Sequence, residues 1–311
     1  MKRRDFVATI SAAAVAAPFG DLFADTKEKG GNADLVAVRN GEPAEMFDRA
    51  IAEMGGMSGF VKKGSKVVLK PNIGWDRTPD YGANTNPQLV GAVVRHCMEA
   101  GAAEVLCYDN TCGNNWEERY EMSGIKGEVE KYGGKMVTGQ VPSMFVEQKI
   151  PKGISLKSAR VHKLSINPDI FINMPVLKNH SGAKITCALK NYMGCIEDRQ
   201  WWHKNNMPQC IADYATYQKT TLTVVDAYRI MLAGGPRGSS PKNAPVVKYQ
   251  IVSTDIVAAD VAAIQIFASV ARQFKIGKPY EISEIAYIKP AVAHGVGTDD
   301  LTKLNVKRIA L

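Results

Sequence analysis

The chain has 311 residues, 39 Lys plus Arg against 31 Asp plus Glu, and 45% hydrophobic residues, which fits a folded chain with a sizeable core and excludes a mostly disordered one. No stretch reaches the roughly 18 consecutive apolar residues of a spanning helix, so no integral membrane span is expected. The formal charge of +8 favours anionic partners, but it is spread along the chain without aromatic interleaving, so nucleic acid is not an expected partner.

Residues 1–24 read as an address rather than as part of the fold. Lys2, Arg3 and Arg4 are followed by Asp5 and Phe6, then by a weakly apolar, Ala-rich stretch from Val7 to Ala17. This pattern resembles a twin-arginine export signal, with Lys2 where such signals usually carry Ser or Thr. Cleavage is expected after Ala16 or Ala24, giving a periplasmic protein whose residues 25–311 form one α/β domain.

Beyond the leader, strand-length apolar runs alternate with helical periodicity. Strands are expected at Leu35–Val38, Lys66–Leu69, Glu104–Tyr108, Asp169–Asn173, Leu222–Val225 and Val247–Ser253. Helices are expected at Ala44–Met54, 88–99, Asn115–Tyr132 with a break at Gly124, Ala183–Tyr192, Pro208–Gln218 and Asp255–Val270. The helix over 88–99 puts Leu89, Val90, Val93, Val94 and Cys97 on one face. The alternation predicts a mainly parallel sheet with helices on both faces. The polar stretch 133–166 is expected to hold a small antiparallel insertion.

The residues just after each strand carry the functional expectation. Lys70 and Asn72 come after the second strand, Asp109 and Asn110 after the third, Asn173, Lys178 and His180 after the fourth, and Asp226 after the fifth. In a parallel sheet such residues converge on the carboxyl edge, where ligands bind. Lys70 and Lys178 suit a carboxylate or phosphate. Asp109, His180 and Asp226 are candidate ligands for a divalent cation or acid–base groups, with turn capping or a satisfied loop hydrogen bond as the plain alternative. Asn72, Asn110 and Asn173 can orient a ligand through their amides. Lys190, Asn191, His203 and the loop residue Arg237 extend the ligand-binding set. Thr186 and Lys190 share a face of the expected helix, whose N-terminal amides would attract an anion. Asp260, in an otherwise apolar helix, needs a partner or a function. Lys178, His180, Asp226 and Asp260 are the candidate catalytic residues. Of the adjacent Trp201 and Trp202, one is expected to line a pocket or interface. The cysteines Cys97, Cys107, Cys112, Cys187, Cys195 and Cys210 contain no Cys-x-x-Cys, so no iron–sulfur cluster motif is present and no disulfide pairing is assigned.

An ordered set of segments resembles the domain-of-unknown-function 362 family. These are Val-Leu-Lys-Pro-Asn (68–72), Thr-Asn-Pro (85–87), Asn-Met-Pro-Val-Leu-Lys-Asn-His (173–180), Thr-Cys-Ala-Leu-Lys-Asn-Tyr-Met-Gly (186–194), Trp-His (202–203), Val-Asp-Ala (225–227), Gly-Gly-Pro (234–236) and Asp-Ile-Val-Ala-Ala-Asp (255–260). The resemblance implies that Lys70, Asn72, Lys178, His180, Lys190, Asn191, Asp226 and Asp260 share a site. It implies no reaction. Some members carry a ferredoxin-like iron–sulfur module, which this chain lacks. The leading expectation is therefore an exported protein or enzyme for a small anionic molecule, with a divalent metal as candidate cofactor. The alternatives are a ligand-binding protein without chemistry and an accessory subunit that meets an exported redox partner protein.

Overall fold

The computed structural model describes residues 22, 23, 25, 26 and 28–311. The expected leader lies outside the described residues except for Leu22 and Phe23, which are both buried. Strand β1 (Leu35–Arg39) leads into α1 (Pro43–Glu53), β2 (Lys66–Pro71) into α2 (Pro87–Glu99), and β3 (Glu104–Cys107) into α3 (Trp116–Met122) and α4 (Ile125–Lys131). Gly124 separates α3 from α4 at φ 73°, a left-handed conformation that glycine adopts at low cost. Next come β4 (Lys135–Met136) and the hairpin β5 (Phe145–Lys149) and β6 (Ser158–His162). That hairpin is the antiparallel insertion expected within 133–166, and it forms its own two-stranded sheet. Then come β7 (Ile170–Met174), β8 (Val176–His180), β9 (Lys184–Thr186), α5 (Ala188–Asn191), α6 (Arg199–Lys204) and α7 (Met207–Ala215). The chain ends through β10 (Leu222–Met231), β11 (Val246–Ser253), α8 (Ile256–Phe274), α9 (Ile288–Ala293) and β12 (Val306–Ala310).

The main sheet runs β12-β1-β11-β10-β7-β2-β3-β4, with β8 and β9 branching from β10. The run β10-β7-β2-β3-β4 is parallel throughout, so the ends of β2, β3 and β7 share one edge, as the sequence pattern predicts. Strand β10 is corrected: it begins at that edge, with Leu222 opposite Ile172 and Thr223 opposite Asn173, and runs on past Asp226 to Met231 beside β8. Strand β11 is antiparallel to both β1 and β10. Alternate residues of each strand feed two cores on opposite faces. Leu35, Ala37 and Val68 pack with α7, α8 and α9, and Val36, Val38, Val67 and Leu69 pack with α1, α2 and α4. By length and composition α8 could cross a membrane, yet 78% of its apolar window is buried inside the fold.

The helix expected over 183–192 is corrected. Its first half is strand β9, paired antiparallel with β8 from Lys178↔Thr186 to His180↔Lys184. Lys184 turns the hairpin at φ 64°. Helix begins only at Ala188 because the carboxylate of Asp260 accepts from the Ala188 N–H at 2.6 Å and the Leu189 N–H at 3.1 Å. A distant side chain thus supplies the cap that the local sequence lacks. The amides expected to attract an anion are already occupied by one.

Candidate functional site

At the carboxyl edge of the sheet lies a pocket of about 670 Å³, a size typical of small-molecule sites. The loop after β2 supplies Asn72 and Asp76, and the loop after β3 supplies Asp109 and Cys112. Strand β8 supplies Lys178 and His180, β9 Thr186, α5 Lys190 and Asn191, α6 Arg199 and His203, and the β10–β11 loop Arg237. Eight expected residues therefore face one space: Asn72, Asp109, Lys178, His180, Lys190, Asn191, His203 and Arg237.

Below this space lies a ladder of amides and amines. Lys178 Nζ donates to Asn72 Oδ1 at 3.0 Å, and Asn72 Nδ2 donates to Asn191 Oδ1 at 3.0 Å. Asn191 Nδ2 donates to Asn173 Oδ1 at 2.8 Å, and Asn173 Nδ2 to the Ala188 carbonyl at 2.9 Å. Lys70 also donates to Asn191 Oδ1, at 3.3 Å, and forms a fully buried ion pair with Asp109 at 2.7 Å. Asp109 Oδ2 accepts from the Ile73 N–H at 2.6 Å, tying the loop after β2 to the end of β3.

Gly194 is where this framework leaves no room. A Cβ there would lie 2.0 Å from Asp109 Oδ1 and 2.6 Å from Lys70 Nζ. Gly194→Ala should therefore cost about 1–3 kcal/mol of stability, read as a lower urea midpoint, whereas Gly127→Ala, which meets nothing within 4 Å, should not.

The electrostatics are one-sided. Arg237 pairs with Asp76 through two bonds of 3.0 and 2.7 Å, and Lys70 neutralises Asp109. Lys178, Lys190 and Arg199 have no carboxylate partner among the described residues. Lys178 donates to Asn72 and the Ala83 carbonyl. Lys190 Nζ meets only the Met193 thioether, at 3.2 Å. Arg199 meets Asn110, the Thr111 carbonyl and, at 3.5 Å, Cys112 Sγ. Burial pushes Lys178 down to about 7, with Lys190 and Lys70 adding repulsion and Cys112 and Asp109 offsetting part of it. Burial and Arg199 push Lys190 down to about 8. Lys190, whose only contact is a thioether, is held where a bound anion would restore its charge. Thr186 Oγ1 is buried, lines the pocket and has no hydrogen-bond partner.

His180 is pushed down to about 2 by burial and by Lys190, Lys178 and His203. Its Nδ1 accepts from the Gly182 and Ala183 N–H groups at 2.9 and 3.1 Å. The ring is therefore neutral with its proton on Nε2, a hydrogen-bond donor rather than a base. The divalent-cation set of Asp109, His180 and Asp226 is corrected on the same ground. Among the described residues no three His, Cys, Asp or Glu side chains come together as a metal centre. Asp109 is bound to Lys70, His180 offers its lone pair to backbone, and Asp226 sits elsewhere.

Asp226 and Asp260 are outside the pocket lining, as are Lys70, Asn110 and Asn173. Asp226 accepts from the Asn86 N–H at 2.7 Å and the Tyr228 N–H at 3.0 Å, fixing the start of α2. Asn110 Nδ2 donates to the Ile196 carbonyl at 2.6 Å. These residues build the walls of the site. Lys184 points away and pairs with Glu284 at 3.6 Å. Burial raises Asp226 and Asp260 to about 6. Each carboxyl then holds its proton in the folded chain at a pH where the unfolded chain has lost it. Their contribution to stability is complete below about pH 4 and is lost as pH rises through about 6. Asp226→Asn should accordingly flatten that part of the stability–pH curve, measured by denaturant unfolding at each pH, while lowering it throughout because one side-chain acceptor becomes a donor.

Sequence reasoning missed Arg199, Cys112, Thr186 as an unpartnered hydroxyl, and Arg119, all of which line the pocket. Of the tryptophans, Trp202 is buried and Trp201 is 41% exposed, as adjacency required. All six cysteines are free, and only Cys112 is not buried.

Comparison with known proteins bears on the family. A thylakoid-associated protein of Synechocystis sp. is 26% identical over 235 residues, which is 70% of each chain. The lactate racemase apoprotein of Thermoanaerobacterium thermosaccharolyticum superposes with a TM-score of 0.48 at 14% identity, covering 75% of this chain and 57% of that one. A protein of Thermotoga maritima does so with a TM-score of 0.46 at 11% identity, covering 75% of this chain and 60% of that one. The chain thus spans about three fifths of the length of these two structures. The model of the family described as domain of unknown function (DUF362) matches residues 67–265, well over half of the chain and all of the segments that build the pocket. The chain belongs to the DUF362 family.

Proposed function

We propose that this is an exported α/β protein whose pocket at the carboxyl edge of the sheet binds a small, compact anion such as a carboxylate or phosphate. One observation carries this reading: Lys178 and Lys190 are both buried, both face the pocket, and neither has a carboxylate partner among the described residues. An uncompensated buried ammonium is costly, and an anion of matching size removes that cost. Arg199, the Nε2–H of His180 and the unpartnered Thr186 hydroxyl add donors of the kind that fix an anion's orientation.

Calorimetric titration with phosphate and with oxalate tests this. Binding of either should weaken at least about tenfold in Lys190→Met, the loss expected for one charge-assisted hydrogen bond. Absence of binding for both anions in the parent chain would end the reading.

Export rests on Arg3-Arg4-Asp5-Phe6 and the weakly apolar run behind it. The burial of Leu22 and Phe23 against the α8 core favours processing after Ala16 over processing after Ala24, which would remove both. N-terminal sequencing of the exported chain decides between the two.

A second reading, an accessory subunit for an exported redox partner, is favoured by Trp201. It rims a shallow hollow with Leu156, Ile196 and Trp202. Co-purification from the exported fraction tests it, and a solitary monomer there would count against it.

A further inference from the structure

A bound anion accounts for the positive pocket, but not for one lysine being locked in place. Lys178 lies on β8, is 1% exposed, and its amine has no freedom to track a mobile ligand. Two of its three hydrogen-bonding directions are taken, by Asn72 Oδ1 at 3.0 Å and by the Ala83 carbonyl. Asn72 is held in turn by Asn191, and Ala83 is itself fully buried, so neither acceptor can turn away. In an amine without charge, both N–H bonds would be committed to these acceptors. The remaining position is the lone pair, on a residue that lines the pocket. Lys190 and Arg199 differ in this respect. Lys190 has only a thioether contact, and Arg199, held at Asn110, the Thr111 carbonyl and Cys112, has further N–H groups beyond those bonds, so both can hold the anionic end of a ligand.

We propose that Lys178 is an amine nucleophile that forms an imine with a small oxo-carboxylate, whose carboxylate is held by Lys190 and Arg199. This rests on the anion-binding reading above and deepens it by naming the substrate class. The step balances without an oxidant or a cofactor. The Nζ lone pair attacks the carbonyl carbon, both amine hydrogens leave with the carbonyl oxygen as water, and a C=N bond replaces C=O. Burial is the environment that most strongly keeps a lysine amine uncharged and nucleophilic at neutral pH, and it dominates at Lys178, with Lys190 and Lys70 acting in the same direction against Cys112 and Asp109. The buried Thr186 hydroxyl and the His180 Nε2–H are donors for the departing oxygen.

The test is reductive trapping. The full folded chain is incubated with glyoxylate or pyruvate and cyanoborohydride, and the adduct is located by intact mass and peptide mapping. A single reduced adduct on Lys178, protected by excess oxalate, is the expected result. Lys178→Met should abolish it, and circular dichroism shows whether that variant keeps its fold. Adducts confined to exposed lysines or to Lys190 would overturn the proposal, and mapping on the parent chain settles this even if Lys178→Met fails to fold. Oxalate binding without any adduct would overturn the imine and leave the anion site standing. Absence of both oxalate binding and adduct would overturn the two together.

Discussion

Replacing Asp109 by Ala should lower the stability of the fold by about 3–5 kcal/mol, the cost of leaving one member of a buried ion pair alone. Lys70 and Asp109 have side chains 0% and 3% exposed, so water cannot take over from the lost carboxylate. The remaining partners of Lys70 Nζ are the Pro71 carbonyl at 2.8 Å and Asn191 Oδ1 at 3.3 Å, neither of them charged. The Ile73 N–H loses its acceptor in the same substitution. Urea unfolding measures the loss, with an unchanged slope showing that the midpoint reports stability. The decisive companion is the double variant Lys70→Met with Asp109→Asn. It removes the stranded charge and keeps an oxygen for Ile73, so it should recover more than half of the deficit. A double variant no better than Asp109→Ala would mean that the ion pair itself, rather than the stranded ammonium, stabilises this corner. The single variant should also change ligand binding, since Lys70 would join Lys178, Lys190 and Arg199 as a fourth cation without a carboxylate partner beside the pocket.

The parallel sheet and the position of its ligand-binding edge are legible in the sequence because the signal is repeated. Each of β2, β3 and β7 is an apolar run with amide or charged residues at its end, and the parallel pairing brings those ends together, whereas β10 runs on past Asp226 to Met231. Asp226 and Asp260 show the limit of that signal. Period and position tell which strand end or helix a carboxylate occupies, but not which neighbour it faces. Both turn out to serve backbone N–H groups behind the pocket. Strand β9 reads as helix for a related reason. The apolar pattern from Ala183 to Tyr192 is compatible with either element, and the group that starts the helix at Ala188 is 72 residues away in sequence. Arg199 and Cys112 give no signal at all, because they lie in polar segments with no apolar run to place them. Tertiary packing of α6 and of the loop after β3 brings them to the rim.

Asp260→Ala should be the most damaging change away from the pocket surface. The carboxylate is fully buried and accepts from both amides at the start of α5, so its loss leaves two buried N–H groups without acceptors and a void in α8. Unsatisfied buried groups cost about 1–3 kcal/mol each, which puts the expected loss for the two at about 2–6 kcal/mol. The functional consequence comes from the residues that α5 carries. Lys190 faces the pocket, and Asn191 joins Lys70, Asn72 and Asn173 in the amide ladder. If the cap fixes that short helix, anion affinity should fall by about tenfold although no pocket residue has changed. Titration with oxalate under conditions where the variant is fully folded separates this effect from unfolding. Lost stability with full affinity would mean that the ladder alone positions Lys190. Lost affinity with the fold intact would assign Asp260 to positioning, and would explain a buried carboxylate in an apolar helix without giving it any contact with the ligand.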